Sequence, residues 1–164
     1  MMPAFALVAA LAAHHVGAAR PLGAQEERDA EDVARQPNLI ALFFGGTATE
    51  NNIHLSVGAS VERQFNTLLG VGGYGDMVLG GDEREFFVAP SVFLHPAASL
   101  RLGFAPGVQR DKADEETLFV MRFGADYYIK LSDHWGVLPT VAIDLVEGPI
   151  TSIMVFGASL GYRF

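Results

Sequence analysis

From Asn38 to Phe164, apolar and polar residues alternate with a period of two, and turn residues interrupt the alternation at regular intervals. The pattern predicts eight strands: Leu39–Gly45, Ile53–Phe65, Leu68–Val78, Glu85–Leu94, Leu100–Val108, Thr117–Leu131, Trp135–Val146 and Thr151–Phe164. After the first break, Gly46–Asn52, every second break is very short, as in an up-and-down antiparallel sheet. The last strand shows the alternation best. Met154, Phe156, Ala158, Leu160, Tyr162 and Phe164 form one face, and Ile153, Val155, Gly157, Ser159, Gly161 and Arg163 the other. The second, fifth, sixth and seventh strands divide the same way, with Arg63 as the one break in the apolar face of the second. It sits at a strand end, where a long side chain reaches the interface at little cost.

Alternation leaves open which face is inside. A soluble lipocalin-like barrel encloses the apolar set around a ligand, whereas a membrane barrel turns it toward lipid. Eight strands enclose a space that side chains just fill. The apolar face, rich in Phe, Leu, Ile, Trp and Tyr, is too bulky for it, while the opposite face of Gly, Ser, Ala and scattered charges fits. Strands of about 9–11 residues cross a bilayer at the usual tilt. Tyr127, Trp135, Tyr162 and Phe164 gather near one rim, as in an interfacial girdle. The expected fold is therefore all-β: an eight-stranded antiparallel up-and-down transmembrane β-barrel over residues 38–164.

Composition narrows the function classes. The 164 residues are 50% hydrophobic and 18% charged, with 18 glycines and no cysteine. Absence of cysteine excludes a disulfide scaffold, thiolate metal sites and a cysteine nucleophile. A net charge of -8 argues against nucleic-acid binding. The longest apolar run, Met1–Ala13, falls short of the roughly 18 residues of a membrane-spanning helix. Residues 1–24 read as an export signal, with Phe5–Ala13 as its apolar region and a small-residue cleavage site at Leu22-Gly23-Ala24, although no Lys or Arg precedes the apolar stretch. Residues 25–37 are acidic, with Val33 as the sole branched apolar side chain, and read as a disordered linker.

The candidate chemistry lies on the inward face. His54, Ser56, Glu62, Asp76, Glu85, Arg101, Arg122, Asp126, Lys130, Asp144 and Arg163 form the expected interior polar network. Buried charges require partners. If Leu131 opposes Trp135, Arg122 falls opposite Asp144, and Arg101 falls near Asp126 or Tyr128. The functional reading is a gated pore or proton path; the structural one, which we adopt, is a polar filling of a lumen too narrow to conduct. If Gln64 pairs with Leu68, Ser56 faces Asp76 with His54 one inward step away, a grouping reminiscent of a catalytic triad. Outer-membrane lipid A deacylases resemble this in having a His and a Ser one residue apart, but here no Asn follows the Ser and the pair faces the lumen, so no catalytic residue is assigned. His95 and His134 are expected to be solvated in turns, and the five histidines show no metal spacing. Gly70-Val71-Gly72-Gly73-Tyr74-Gly75 lies within a strand, so it reads as wall glycine and not as a phosphate loop. Pro90, Pro106 and Pro139 each remove a ladder donor and predict a bulge or local break.

The segment Val155–Phe164 (VFGASLGYRF) resembles the C-terminal signal of bacterial outer-membrane β-barrels, with Leu160, Tyr162 and the terminal Phe164 at alternate positions. The mature chain resembles the small OmpA/OmpX-type barrels. That resemblance implies an outer-membrane location reached through the periplasm, contact with outer-membrane lipid and lipopolysaccharide, recognition of the last strand by the barrel-assembly machinery, and a monomer without cofactor or metal. It places both chain ends and the short turns in the periplasm. It also implies a structural, envelope-integrity or small-scale surface-interaction role and not an enzymatic one. The alternatives are a soluble periplasmic lipocalin-like binder, a lipid A-modifying enzyme and a narrow channel.

Overall fold

The computed structural model describes residues 36–49, 52–79, 85–111, 117–147 and 151–164. The expected export signal, and all but the last two residues of the acidic linker, lie outside them. The strands are β1 (Asn38–Ala48), β2 (Ile53–Gln64), β3 (Leu69–Leu79), β4 (Glu85–Ala97), β5 (Leu100–Asp111), β6 (Thr117–Tyr127), β7 (Ile129–Lys130), β8 (Trp135–Val146) and β9 (Thr151–Arg163). Sequential strands pair antiparallel, except that β6 and β7 are two pieces of one wall strand interrupted at Tyr128, both pairing with β8. β1 pairs with β9 and closes the ring. The result is an up-and-down barrel with eight wall positions, as the alternation predicts. At the seam, the backbone groups of Asn38 and Phe164 exchange hydrogen bonds of 3.0 Å in both directions.

Sidedness is unambiguous. Ile40, Leu42 and Phe44 of β1, Phe119 and Phe123 of β6, and Met154, Phe156, Leu160 and Tyr162 of β9 are exposed, while their strand neighbours are covered. The apolar set points out and the polar set points in, so the lipocalin-like arrangement is not the one this chain adopts. Among the described residues the outward face carries arginine only at its margins: Arg63 near the end that holds Asn38 and Phe164 (the terminal end), and Arg110 at the opposite, far end. Arg110 falls in a segment expected to be a loop, because β5 continues to Asp111.

Several expectations change in detail. β4 extends to Ala97, so His95 is not in a turn but buried and inward. The β2–β3 register is two residues from the expected one: Gln64 pairs with Gly70, which sets Ser56 opposite Val78 and Gly58 opposite Asp76. Asn66 explains the shift. Its Oδ1 accepts from the amides of Leu68 and Leu69, both at 2.8 Å, and this side-chain turn lengthens the connection. The prolines produce no bulge. The β4–β5 pairing stops at Val88–Val108 and resumes at Val92–Phe104 in the same register, because Pro90 and Pro106 face each other across that gap and neither has an N–H to donate. Pro139 pairs with Ala158 in an uninterrupted ladder. The register shift of this wall lies elsewhere, between Leu94 and Ala97.

The lumen is packed and not merely lined. Phe87, Ala89, Ala105 and Val120 form one apolar cluster toward the far end, joined by Tyr74 and Val146. Leu39, Ala41 and Leu138 form a second toward the terminal end, covered by Tyr128. Inward glycines make room for these rings. A Cβ at Gly136 would fall 2.4 Å from the Tyr128 ring, and one at Gly103 would fall 2.7 Å from the Tyr74 hydroxyl.

Candidate functional site

Two ion layers sit inside the barrel. In the layer nearer the terminal end, the Arg101 guanidinium is the hub. Its Nε donates to Asp126 Oδ2 at 2.8 Å and its Nη1 to Glu62 Oε2 at 3.2 Å. The other Glu62 oxygen lies 2.5 Å from His95 Nε2, and Asp126 Oδ1 accepts from the Thr140 hydroxyl at 2.6 Å. Arg101 also lies 4.6 Å over the Phe93 ring, whose negative face favours a cation. Five wall strands supply these groups: β2, β4, β5, β6 and β8. The ladder sets the contacts, since Arg101 is directly opposite Asp126. Gly70 leaves the space for Glu62, because a Cβ there would fall 2.2 Å from its Oε1.

The second layer is built around Arg122, which stands opposite Asp144 in the β6–β8 ladder. The pair is two-pronged, Nε to Oδ1 at 2.6 Å and Nη2 to Oδ2 at 2.7 Å. Fork-to-carboxylate contacts of this kind are the strongest that arginine makes. Nη1 reaches across the lumen to Asp76 Oδ2 at 2.5 Å. The guanidinium lies 4.2 Å over Phe87 and 5.9 Å from the Tyr74 ring. Tyr74 packs edge-on against Phe93, so this one aromatic pair links the two layers.

The remaining interior residues lie toward the ends. Glu85 accepts from Gln109 at 2.8 Å near the far end. Ser56 is bonded to the Thr47 hydroxyl at 2.5 Å, not to His54, and Asp76 is held by Arg122; the triad-like grouping is not assembled. His54, half-buried, faces Thr47 across the β1–β2 ladder. Arg163 bonds Gln64 at 3.4 Å and stacks over Tyr128 at the terminal end. Lys130 departs from the expected network. It shares a rung with inward Gly136, but at the rim its ammonium turns to solvent, 56% exposed and 3.5 Å from Asp133. Sequence reading missed His95, Tyr74, Phe87 and Phe93. Phe87, Phe93 and His95 share the parity of Glu85 on β4, and Tyr74 that of Asp76 on β3, but an apolar run and a stretch of glycines leave these residues without an alternation of their own to mark them.

Two small cavities lie beside the ion layers. A cavity of about 30 Å³ lies between the layers, lined by Ser60, Tyr74, Asp76, Arg101, Arg122 and Ser159 among others. A second, of about 10 Å³, lies on the far side of Arg122. Among the described residues no group of His, Asp and Glu is arranged to hold a metal ion.

On the outside, the rim at the terminal end carries stacked aromatics. Tyr162 lies 4.9 Å from Trp135, 5.5 Å from His134 and 6.0 Å from Phe164. Leu160, Tyr162 and Phe164 are all exposed on this outward face.

No protein-family model matches this sequence, and no curated protein matches it. Solved structures do match. The outer membrane protein Ail of Yersinia pestis in a phospholipid nanodisc superposes with a TM-score of 0.57 at 12% identity, covering 79% of this chain and 99% of that one. The N-terminal β-barrel domain of Pseudomonas aeruginosa OprF gives 0.56 at 11% identity, with 79% and 98% covered. A de novo designed protein, TMB2.3, gives 0.51 at 16% identity, with 79% and 96% covered. At these identities the likeness speaks to fold alone, and it agrees with the strand count, the pairing and the outward apolar face: the chain has the closed eight-stranded architecture of small outer-membrane β-barrels.

Proposed function

We propose that this protein is a resident of the Gram-negative outer membrane, a sealed barrel whose contribution is to envelope integrity or small-scale surface interaction and not to transport or catalysis. One observation carries the reading: the outward face is apolar between Arg63 and Arg110, while the ion network is enclosed. Apolar surface of that extent in water would drive aggregation, whereas hydrocarbon is its natural solvent. The aromatic rim at the terminal end supports a membrane interface at that level, with the chain ends and the short turns at Asn66 and Ser132–His134 in the periplasm. The exposed Leu160, Tyr162 and Phe164 offer the assembly machinery a strand edge before β1 and β9 join. Lipid and lipopolysaccharide are the expected neighbours of the wall, and the ring closes within a single chain, which supports a monomer.

The test is physical. The folded protein is expected to partition into detergent, to insert into lipid vesicles and to migrate differently on gels with and without heating. A protein monodisperse in plain buffer, with no gain from detergent, overturns the reading. Ser56→Ala should leave lipid A mass unchanged in cells; a change would revive the lipid-modifying alternative.

A further inference from the structure

At the terminal end one cation is set in place without an acid. Arg163 lies opposite Leu39 in the β1–β9 ladder, and its guanidinium sits 4.7 Å over the ring of Tyr128, the side chain that covers the Leu39, Ala41 and Leu138 cluster. One nitrogen, Nη1, donates to Gln64 Oε1 at 3.4 Å. Among the described residues no carboxylate pairs with Arg163, and the connections at this end, 65–68, 98–99 and 131–134, all lie within those residues. The acids nearby are engaged elsewhere: Glu62 holds His95 and Arg101, and Asp133 faces Lys130. The Phe164 oxygen accepts from the backbone and side-chain amides of Asn38 at 3.0 and 3.1 Å. A planar fork held on a ring and by one hydrogen bond keeps its remaining N–H groups in fixed directions, so an arriving carboxylate forms charge-assisted bonds without first ordering the arginine.

The sequence supplies the arriving group. The chain enters β1 at this end, and the Pro37 carbonyl accepts from the Gln64 amide at 2.7 Å. The residue that holds Arg163 by its side chain therefore holds the incoming chain by its backbone. Immediately upstream stand Glu26, Glu27, Asp29, Glu31 and Asp32. With Arg28 and Arg35 each matched to one of them, three carboxylates still lack a cation within the segment. Asp32 and Glu31 precede Pro37 by five and six residues. Extended chain covers about 3.3–3.6 Å per residue, so both acids return to Arg163 with slack. A tether this short keeps their local concentration at roughly millimolar, which offsets the weakness of a single exposed ion pair.

We propose that the acidic segment 26–32 folds back on the mouth of the barrel at the terminal end and sets the Glu31 or Asp32 carboxylate on Arg163, covering the Tyr128 plug with the chain's own arm. The contact depends on the charges at this end and not on lipid; failed detergent partition would sink the membrane reading and leave this one standing.

The chain has no cysteine, so spin labels can be placed at Ala30→Cys in the segment and at Ala98→Cys in the exposed turn between β4 and β5. The distance between them is measured by electron–electron resonance in the full chain refolded into phosphatidylcholine vesicles. A short, narrow distance population is expected at low salt. Arg163→Gln should reduce it by about fivefold, the effect of losing one exposed ion pair at the strong end of its range. Glu31→Gln combined with Asp32→Asn should reduce it equally, and so should about 1 M salt, where the screening length falls to about 3 Å. The charge swap Arg163→Glu with Glu31→Arg and Asp32→Arg should restore it. Absence of a short population in the labelled chain, or one that survives either set of neutralising substitutions, overturns the proposal. The Glu31 and Asp32 substitutions leave every described wall residue in place, so the test decides even if Arg163→Gln fails to fold.

Discussion

Arg101 shows how much a single side chain holds together. Its guanidinium is almost wholly buried and serves two carboxylates from different strands. Arg101→Ala would leave Glu62 and Asp126 facing each other with only His95 and Thr140 as partners. Breaking a buried pair by deleting one member costs about 3–5 kcal/mol, and that loss should appear in urea unfolding from lipid vesicles; a loss below about 1 kcal/mol, the scale of an exposed pair, would mean that water reaches this layer freely. Gly70 tests the same layer by volume. A methyl group there would overlap Glu62 Oε1, so Gly70→Ala should cost about 1–3 kcal/mol as overpacking. An unchanged midpoint would show that the Glu62 carboxylate can step aside without losing His95. At this scale the sequence was partly legible. The pair Arg122–Asp144 follows from hairpin register plus the rule that opposite charges sit opposite each other, whereas register left Arg101 between Asp126 and Tyr128. The third contacts, Glu62 to His95 and Arg122 to Asp76, cross the lumen between strands that are not neighbours, and no local register contains them.

Strands carry their own signal in the period of two, and it is strongest where both faces differ. β8 and β9 alternate cleanly and begin where the pattern starts; β9 ends at Arg163, one residue inside it. In β4 three apolar residues follow Glu85 in a row, so the alternation is lost there; Phe87 and Phe93 share the inward parity of Glu85, but as large apolar side chains they carried no sign of it. Turn chemistry set the other limit, since the Asn66 side chain moved the β2–β3 register by two without changing which face is inward. An even shift preserves sidedness, and that is why the fold survives the error. Two substitutions on one strand test the sidedness. Phe123→Arg points a cation into hydrocarbon and should cost about 2–4 kcal/mol near mid-membrane, while Gly124→Ala, one residue on, points inward where a Cβ meets only ordinary contacts and should change stability by less than about 1 kcal/mol. Equal effects would contradict the placement of the wall in lipid. The Pro90–Pro106 gap makes a further case: Pro106→Val supplies one donor to the β4–β5 ladder, and the new amide at position 106 should be protected from exchange, whereas rapid exchange there would mean that the rung stays open.

At the scale of the whole barrel, the question is whether anything passes through it. A hydrated ion needs a continuous wet path, and two packed apolar clusters stand in the described lumen. Leu39, Ala41 and Leu138, with Tyr128, close the terminal side, and Phe87, Ala89, Ala105 and Val120 close the far side. Between them the ion layers are cross-braced by paired charges, and two cavities beside Arg122 measure only about 30 and 10 Å³. An isolated ion crossing such a region would exchange its hydration for contacts already claimed by other groups, an unfavourable trade of several kcal/mol. Planar bilayers containing the protein should therefore stay silent under applied voltage. The control matters as much as the silence. Tyr74→Ala removes the ring that spans the two ion layers, and Leu138→Ala opens the terminal plug; together they should connect the cavities to one end but leave the Phe87 cluster shut, so this double variant should also be silent. Adding Phe87→Ala opens the last barrier, and only then should discrete conductance steps appear. Steps in the wild type would mean that the charged layers part in the membrane, and the barrel would have to be read as a channel in which Arg101 and Arg122 are gates and not braces.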